Sequence, residues 1–258
     1  GFHRAMEEQR ERARQSRAQQ GYLDSSLEAY KDLAGVVSTQ FVGYDQMETT
    51  AQLLGLIIDG HSVDKANEGD EVALILDQTP FYAEGGGQVA DLGLITTSTG
   101  QVRVTDVRKP VEGLISHFGV IESGFVMSGS TVTAAIDVER RLETARHHTA
   151  THLLHKALRN VLGDHVNQAG SYVGPERLRF DFTHFQAVSE VELTTIEDWV
   201  NREILRNSSV IPTITDLDTA KKQGAMHGSS GSCIPRALRW YPCLLYGRNR
   251  FVKDCIGG

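Results

Sequence analysis

At Asp137 the apolar pattern of this 258-residue chain changes character, and the change limits it to a β part followed by a mixed part. Before that residue, short apolar runs of strand length, "TAQLLGLII", "EVALILD", "QVRVTDV" and "STVTAAID", alternate with turns of Gly, Asp, Asn and Ser. Strands of this kind between about residues 40 and 137 specify an all-β unit, a small barrel or a sandwich. After it, Ala150, Leu153, Leu154, Ala157, Leu158, Val161 and Leu162 recur at intervals of three and four, one face of a helix that Gly163 should stop. "GSYVG" and "RLRFDF" then read as a hairpin around Pro175 and Glu176, with Leu178, Phe180 and Phe182 on one face and Arg177, Arg179 and Asp181 on the other. Ser189 and Glu192 form a capping box for a helix that turns Leu193, Ile196, Val200 and Ile204 inward. A strand over 210–214 and a short helix over 217–223 complete an α+β unit.

Ahead of the strands, residues 4–20 are dense in charge and Gln, with Glu8 and Arg12 spaced for an i,i+4 pair on a solvated helix. Ser25 and Glu28 cap a second short helix that Gly35 ends. Residues 1–36 therefore read as a helical linker, with an interaction arm as the other reading.

Charge and cysteine use narrow the function classes. A formal net charge of −7 argues against a sequence-independent nucleic-acid coat and leaves room only for a local basic face. The three cysteines, 233, 243 and 255, are too few and odd in number for a disulfide framework and fit a reducing compartment. No run approaches the roughly 20 apolar residues needed to cross a bilayer. The expectation is a cytoplasmic protein without membrane contact. Its start, Gly1-Phe2-His3-Arg4, lacks both an initiator Met and a signal pattern, so it reads as a piece of a longer chain.

The stretch "ARHHTATHLLHKAL" holds four of the ten histidines. His148 and His152 stand one helical turn apart on the same face, where two imidazoles can grip one ion, Zn²⁺ being the usual choice. A zinc protease would need Glu directly after the first His, and Thr149 is there instead. The pair is half a metal site or two surface histidines, and spacing alone leaves both readings open.

"HTATHLLHKAL", "NQAGSYV" and "RLRFDFTHF", in this order, resemble the editing domain of the alanyl-tRNA synthetases and their free-standing relatives. Upstream, "LDQTPFYAEGGGQVADLG" resembles the glycine-rich segment of that family's β-barrel domain, and "MEEQRERAR" the helix leading into it. Downstream, "LDTAKKQGAM" resembles the approach to the last zinc ligands. The resemblance covers about residues 1–226 and implies a helical linker (1–36), a β-barrel domain (37–137) and a C-terminally truncated α+β zinc-binding editing domain (138–258). It implies one Zn²⁺, with His148 and His152 as ligands and Cys255 as third; the fourth, a His four residues after Cys255, would fall just past Gly258. ATP and Mg²⁺ would belong to the aminoacylation half, ahead of Gly1. The implied activity is hydrolysis of the ester of mischarged Ser-tRNA(Ala) or Gly-tRNA(Ala), with the tRNA(Ala) acceptor end as partner.

The same resemblance assigns roles to further residues. Thr151 would help recognise the amino-acid side chain, although a helical Thr also bonds back to its preceding turn. Gln168 would line the pocket, and Gln88, after Gly85-Gly86-Gly87, would approach the amino acid or the terminal adenosine. His147 and His155 would support the motif or face solvent. Arg177, Arg179, Lys221 and Lys222 are candidate RNA contacts. A threonyl-tRNA synthetase type editing module shares the histidine and cysteine arrangement, and a non-catalytic zinc-braced tRNA-binding fragment is the alternative from another class. Between residues 226 and 250 the chain departs from the family, with no Asp or Glu from Thr219 to Lys253. A local frame error or a basic insertion accounts for that departure, and on either reading Cys233 and Cys243 are not ligands.

Overall fold

The structure, a computed structural model, describes residues 29–208. Cys255, Lys221, Lys222, the helix expected over residues 4–20, the capping residues Ser25 and Glu28 of the second helix and the elements expected after 208 lie outside the described residues. The described chain forms two compact units, one of residues 29–84 and 90–137, the other of residues 85–89 and 138–208.

The first unit is a closed antiparallel barrel. The unit's strands are β1 (Gln40–Phe41), β2 (Glu48–Ile58), β3 (His61–Ser62), β4 (Lys65–Asn67), β5 (Glu71–Leu76), β6 (Gln78–Thr79), β7 (Gly93–Thr96), β8 (Gly100–Arg108), β9 (Ser116–Met127) and β10 (Thr131–Ile136), with β1 and β6 forming a separate parallel pair. Hydrogen bonding runs in the order β10-β7-β8-β9-β5-β2, and β2 pairs back onto β10 with Thr131 opposite Gln52 and Ala135 opposite Glu48. That last pairing removes both sheet edges and decides for a barrel over a sandwich. Alternation fills the interior: on β10, Val132, Ala134 and Ile136 are buried while Thr131 and Thr133 face out. Residues 29–34 are helical and lay Tyr30 and Leu33 against Ile57, Ile75 and Leu114. Tyr30 is buried, and its hydroxyl lies 3.1 Å from Ser116 Oγ.

β9 is the longest strand, and none of the apolar runs quoted above announces it, because it carries a histidine into the core. His117 is fully buried. Its Nδ1–H donates to the Leu74 carbonyl (3.0 Å), so its Nε2 accepts from the Thr79 hydroxyl (2.7 Å), whose oxygen in turn accepts from Phe81 N–H (3.1 Å). Burial pushes the imidazole pKa down to about 4 against a smaller opposing effect of the Leu74 bond. The unfolded chain takes up a proton near pH 6.5 and the folded barrel does not. The stability tied to this group is therefore complete above pH 6.5 and is lost as pH falls toward 4, by up to roughly 3 kcal/mol. Urea unfolding of wild type and His117→Gln across pH 4–7 should show a steeper fall for wild type, and parallel curves would refute the assignment.

The second unit comprises α1 (Val138–Leu162), β11 (Gln168–Val173), β12 (Leu178–Phe182) and α2 (Glu190–Arg206). Its core joins Leu154, Ala157, Leu158, Phe180, Ile196 and Val200, the positions that the helical and strand periods select. The capping box at Ser189 forms in both directions: Ser189 Oγ accepts from Glu192 N–H and the Glu192 carboxylate accepts from Ser189 N–H. Asn207, in the left-handed region, closes α2. Among the described residues no helix is long and apolar enough to cross a membrane.

Candidate functional site

Five residues of the glycine-rich segment, 85–89, belong to the second unit. Gly85 and Gln88 exchange backbone hydrogen bonds (3.2 and 3.0 Å) across a tight turn whose central residues, Gly86 and Gly87, have φ of 62° and 84°. Two adjacent positive φ values define a type I′ turn, and glycine occupies it without strain. The turn also needs the missing side chain at Gly87, where a Cβ would lie 2.5 Å from Ser171 Oγ and 2.6 Å from the Ser171 carbonyl oxygen. From this turn the segment runs beside β11: Val173 N–H donates to Gly87 O (2.8 Å) and Val89 N–H to Val173 O (3.0 Å). A strap of five residues thus joins the β11–β12 hairpin.

The strap aims Gln88 at α1. Its Oε1 accepts from His148 Nδ1 at 2.6 Å, which fixes the tautomer and leaves the Nε2 lone pair for another partner. His152 lies one turn further on, its ring centroid 5.1 Å from that of His148. Two imidazoles on one tetrahedral zinc, each bond roughly 2.0–2.1 Å long, also hold their centroids about 5 Å apart. Burial holds both rings neutral, with the neighbouring histidine as the second cause in each case, and pushes His148 down to about 4. Neutral imidazole is the form that binds a metal. A carboxamide oxygen on the far nitrogen is the kind of second partner that orients a metal-binding histidine. The chemistry and spacing of the pair fit zinc. Among the described residues no set of three His, Cys, Asp or Glu side chains forms a complete metal site, and the third expected ligand, Cys255, lies outside them.

The other expected residues lie on α1 and on the β11–β12 hairpin. Gln168 Nε2 donates to Ser171 Oγ (2.9 Å), the same hydroxyl that packs on Gly87, so both glutamines are tied to one strap-and-hairpin arrangement. The buried Thr151 hydroxyl donates to His147 O at 2.8 Å, the bond back to the preceding turn, and its oxygen retains accepting capacity. His147 and His155 are both buried, which removes solvent-facing positions from their alternatives. His147 Nδ1–H donates to the Gly174 carbonyl (2.7 Å) and pins the hairpin tip to α1. His155 packs its ring 5.1 Å from that of Phe180. Arg177 and Arg179 are exposed, one over the Tyr172 ring (5.6 Å) and the other 3.2 Å from Asp181. Ser171 is the residue that sequence reasoning missed; its place in "GSYVG" marked a strand and carried no sign of contact with the strap.

With the geometry in place, comparison with known proteins gives its context. The family model described as tRNA synthetases class II (A) matches residues 1–140. The alanine-tRNA ligase of Pelotomaculum thermopropionicum is 49% identical over 226 residues, which is 87% of this chain and 26% of that protein. That of Desulforamulus reducens is 49% identical over 225 residues, again 87% and 26%. The alanine-tRNA ligase of Pseudomonas entomophila is 47% identical over 227 residues, 88% of this chain and 25% of its own. The chain spans about a quarter of the length of these curated relatives.

Proposed function

Because the chain belongs to the class II (A) tRNA synthetase family, that of the alanyl-tRNA synthetases, we propose that its second unit edits: it hydrolyses the ester of Ser-tRNA(Ala) or Gly-tRNA(Ala). The need is physical. An alanine pocket cannot strongly reject glycine, which lacks one methyl, or serine, which adds one hydroxyl, so a second site must remove the errors. The relatives are named as ligases, and ATP and Mg²⁺ serve that ligation; editing is the further activity assigned to this part of the chain, acting in the cytoplasm on the tRNA(Ala) acceptor end.

The observation that carries the reading is the bond from His148 to Gln88 beside the paired rings of His148 and His152. His148 and His152, with Cys255 as third ligand, would hold one Zn²⁺. When bound, the ion supplies a Lewis acid for the ester carbonyl and lowers the pKa of a water molecule. Gln88 keeps His148 in the tautomer whose Nε2 lone pair would be the ligand. Thr151, one position before His152, already donates its proton to His147 O and so offers only its oxygen lone pair, an acceptor for a serine hydroxyl or an α-ammonium group. Gln168, held by Ser171, would line the wall of the pocket from the hairpin. The glycine strap favours the alanine family over a threonyl-type module, and the −7 charge is consistent with capture of one RNA end over coating of a duplex.

The test is deacylation of Ser-tRNA(Ala) by the purified chain, with Ala-tRNA(Ala) as the control ester. Loss of serine at least about tenfold faster than loss of alanine is the expected result. Equal rates, or no hydrolysis above the uncatalysed background, would overturn the reading.

A further inference from the structure

At the opposite end of the hairpin from His147, three aromatic rings stack. His165 and His184 lie with centroids 5.1 Å apart and planes 18° from parallel, joined by a hydrogen bond between His165 Nε2 and His184 Nδ1 (2.9 Å). Phe185 stacks on His165 at 4.6 Å and 25°, and it is 87% exposed. A large apolar ring left in water is costly, and this one is held flat rather than left to swing. The segments that carry the rings are cross-braced: Thr183 N–H donates to Asn167 O (3.0 Å), Asn167 N–H to Thr183 Oγ1 (3.2 Å), and Asn167 Nδ2 to His165 O (2.9 Å). Arg159 braces the same turn by donating to Val166 O (3.1 Å) and to the Asp164 carboxylate (2.9 Å).

We propose that Phe185, backed by His165 and His184, is a stacking platform for one unpaired nucleobase of the tRNA acceptor end. A protein interface needs several hundred Å² of contiguous apolar surface, and the side chains flanking Phe185 in sequence and across the strands, Thr183, Gln186 and Asn167, are polar and exposed. A base needs one flat aromatic face and polar groups for its edges, which is what these residues offer. The platform follows Phe182, whose cross-strand partner is Gln168, so it adjoins the proposed pocket wall. Along α1 it lies at the level of the C-terminal turn, roughly 20 Å from His148 at 1.5 Å per residue. The base it takes is therefore one upstream of the esterified nucleotide. The proposal rests on RNA being the partner of this unit.

The experiment uses the full chain and a short single-stranded RNA carrying 2-aminopurine, whose fluorescence is quenched by stacking. Wild type should quench it on binding. Phe185→Ala should weaken binding roughly tenfold or more and remove the quench, and Phe185→Trp should restore both. The side chain is outside the hydrophobic core and loses only its stack on His165, so the urea unfolding midpoint should move little. Equal affinity and quench for wild type and Phe185→Ala would overturn the platform, as would failure of wild type to bind the RNA. A shift of Phe185→Ala from self-associated to monomeric in sedimentation, with no change in RNA binding, would assign the ring to a protein contact and overturn it too. The fluorescence readout needs no ester hydrolysis, so failure of the editing activity and failure of the platform are separately visible.

Discussion

Replacing His152 by Ala is expected to strip zinc from the protein and to slow Ser-tRNA(Ala) hydrolysis by more than the roughly 10–100-fold that loss of an outer-shell partner costs. The ring of His152 lies beside that of His148 and is only half-buried, and no hydrogen bond holds it among the described residues. Its removal takes nothing from the core built on Leu154, Leu158 and Phe180. Unfolding should therefore stay cooperative while bound zinc, measured by metal analysis after dialysis, falls together with the rate. The two effects separate catalysis from bracing. A protein in which zinc only clamps the fold would lose its cooperative transition on this substitution, and that outcome would transfer the metal from chemistry to structure.

A comparable loss is expected from Gly87→Ala, with a different signature. Alanine at a φ of 84° is strained by about 1–2 kcal/mol, and its methyl would lie 2.5 Å from Ser171 Oγ and 2.6 Å from a backbone oxygen that β11 holds in place. The strap must give way, and Gln88 leaves His148. Hydrolysis should drop roughly 10–100-fold, and chelator competition should show weaker zinc retention. Gln88→Leu keeps the backbone of the turn and removes only the acceptor, so it should reproduce the kinetic loss with a smaller shift in the unfolding midpoint. If Gly87→Ala and Gln88→Leu both leave zinc retention unchanged, the bond to His148 does not tune the site.

How much of this was legible beforehand depended on how local each cause was. The capping box at Ser189 and the period of α1 are written in residues three and four apart, and both formed as read. Strands β2, β5, β8 and β10 announce themselves by apolar runs. β9 does not, because His117 and Ser116 are buried polar residues whose place depends on Thr79, Leu74 and Tyr30, all distant in sequence. Barrel closure likewise rests on the pairing of β10 with β2, which no single window contains. At the candidate site the spacing of His148 and His152 was visible from helical geometry. The link from His148 to Gln88 spans sixty residues, and only the resemblance to a family placed both in one pocket. For Thr151 the two readings converge, since the bond to the preceding turn decides which of its hydrogen-bonding capacities is left.

The strap also sets an order of events on the ribosome. The barrel strands are all present once residue 136 has emerged, but the glycine strap docks on β11, whose last residue is Val173. At about 5–20 residues per second the strap, complete at Val89, waits roughly four to seventeen seconds for its partner, with its backbone donors open to water. The turn closes on the two backbone bonds between Gly85 and Gln88, which need nothing from β11, so it can form and persist through that delay as a preset latch. Slower synthesis over residues 137–173 would prolong the wait without altering any contact in the finished protein.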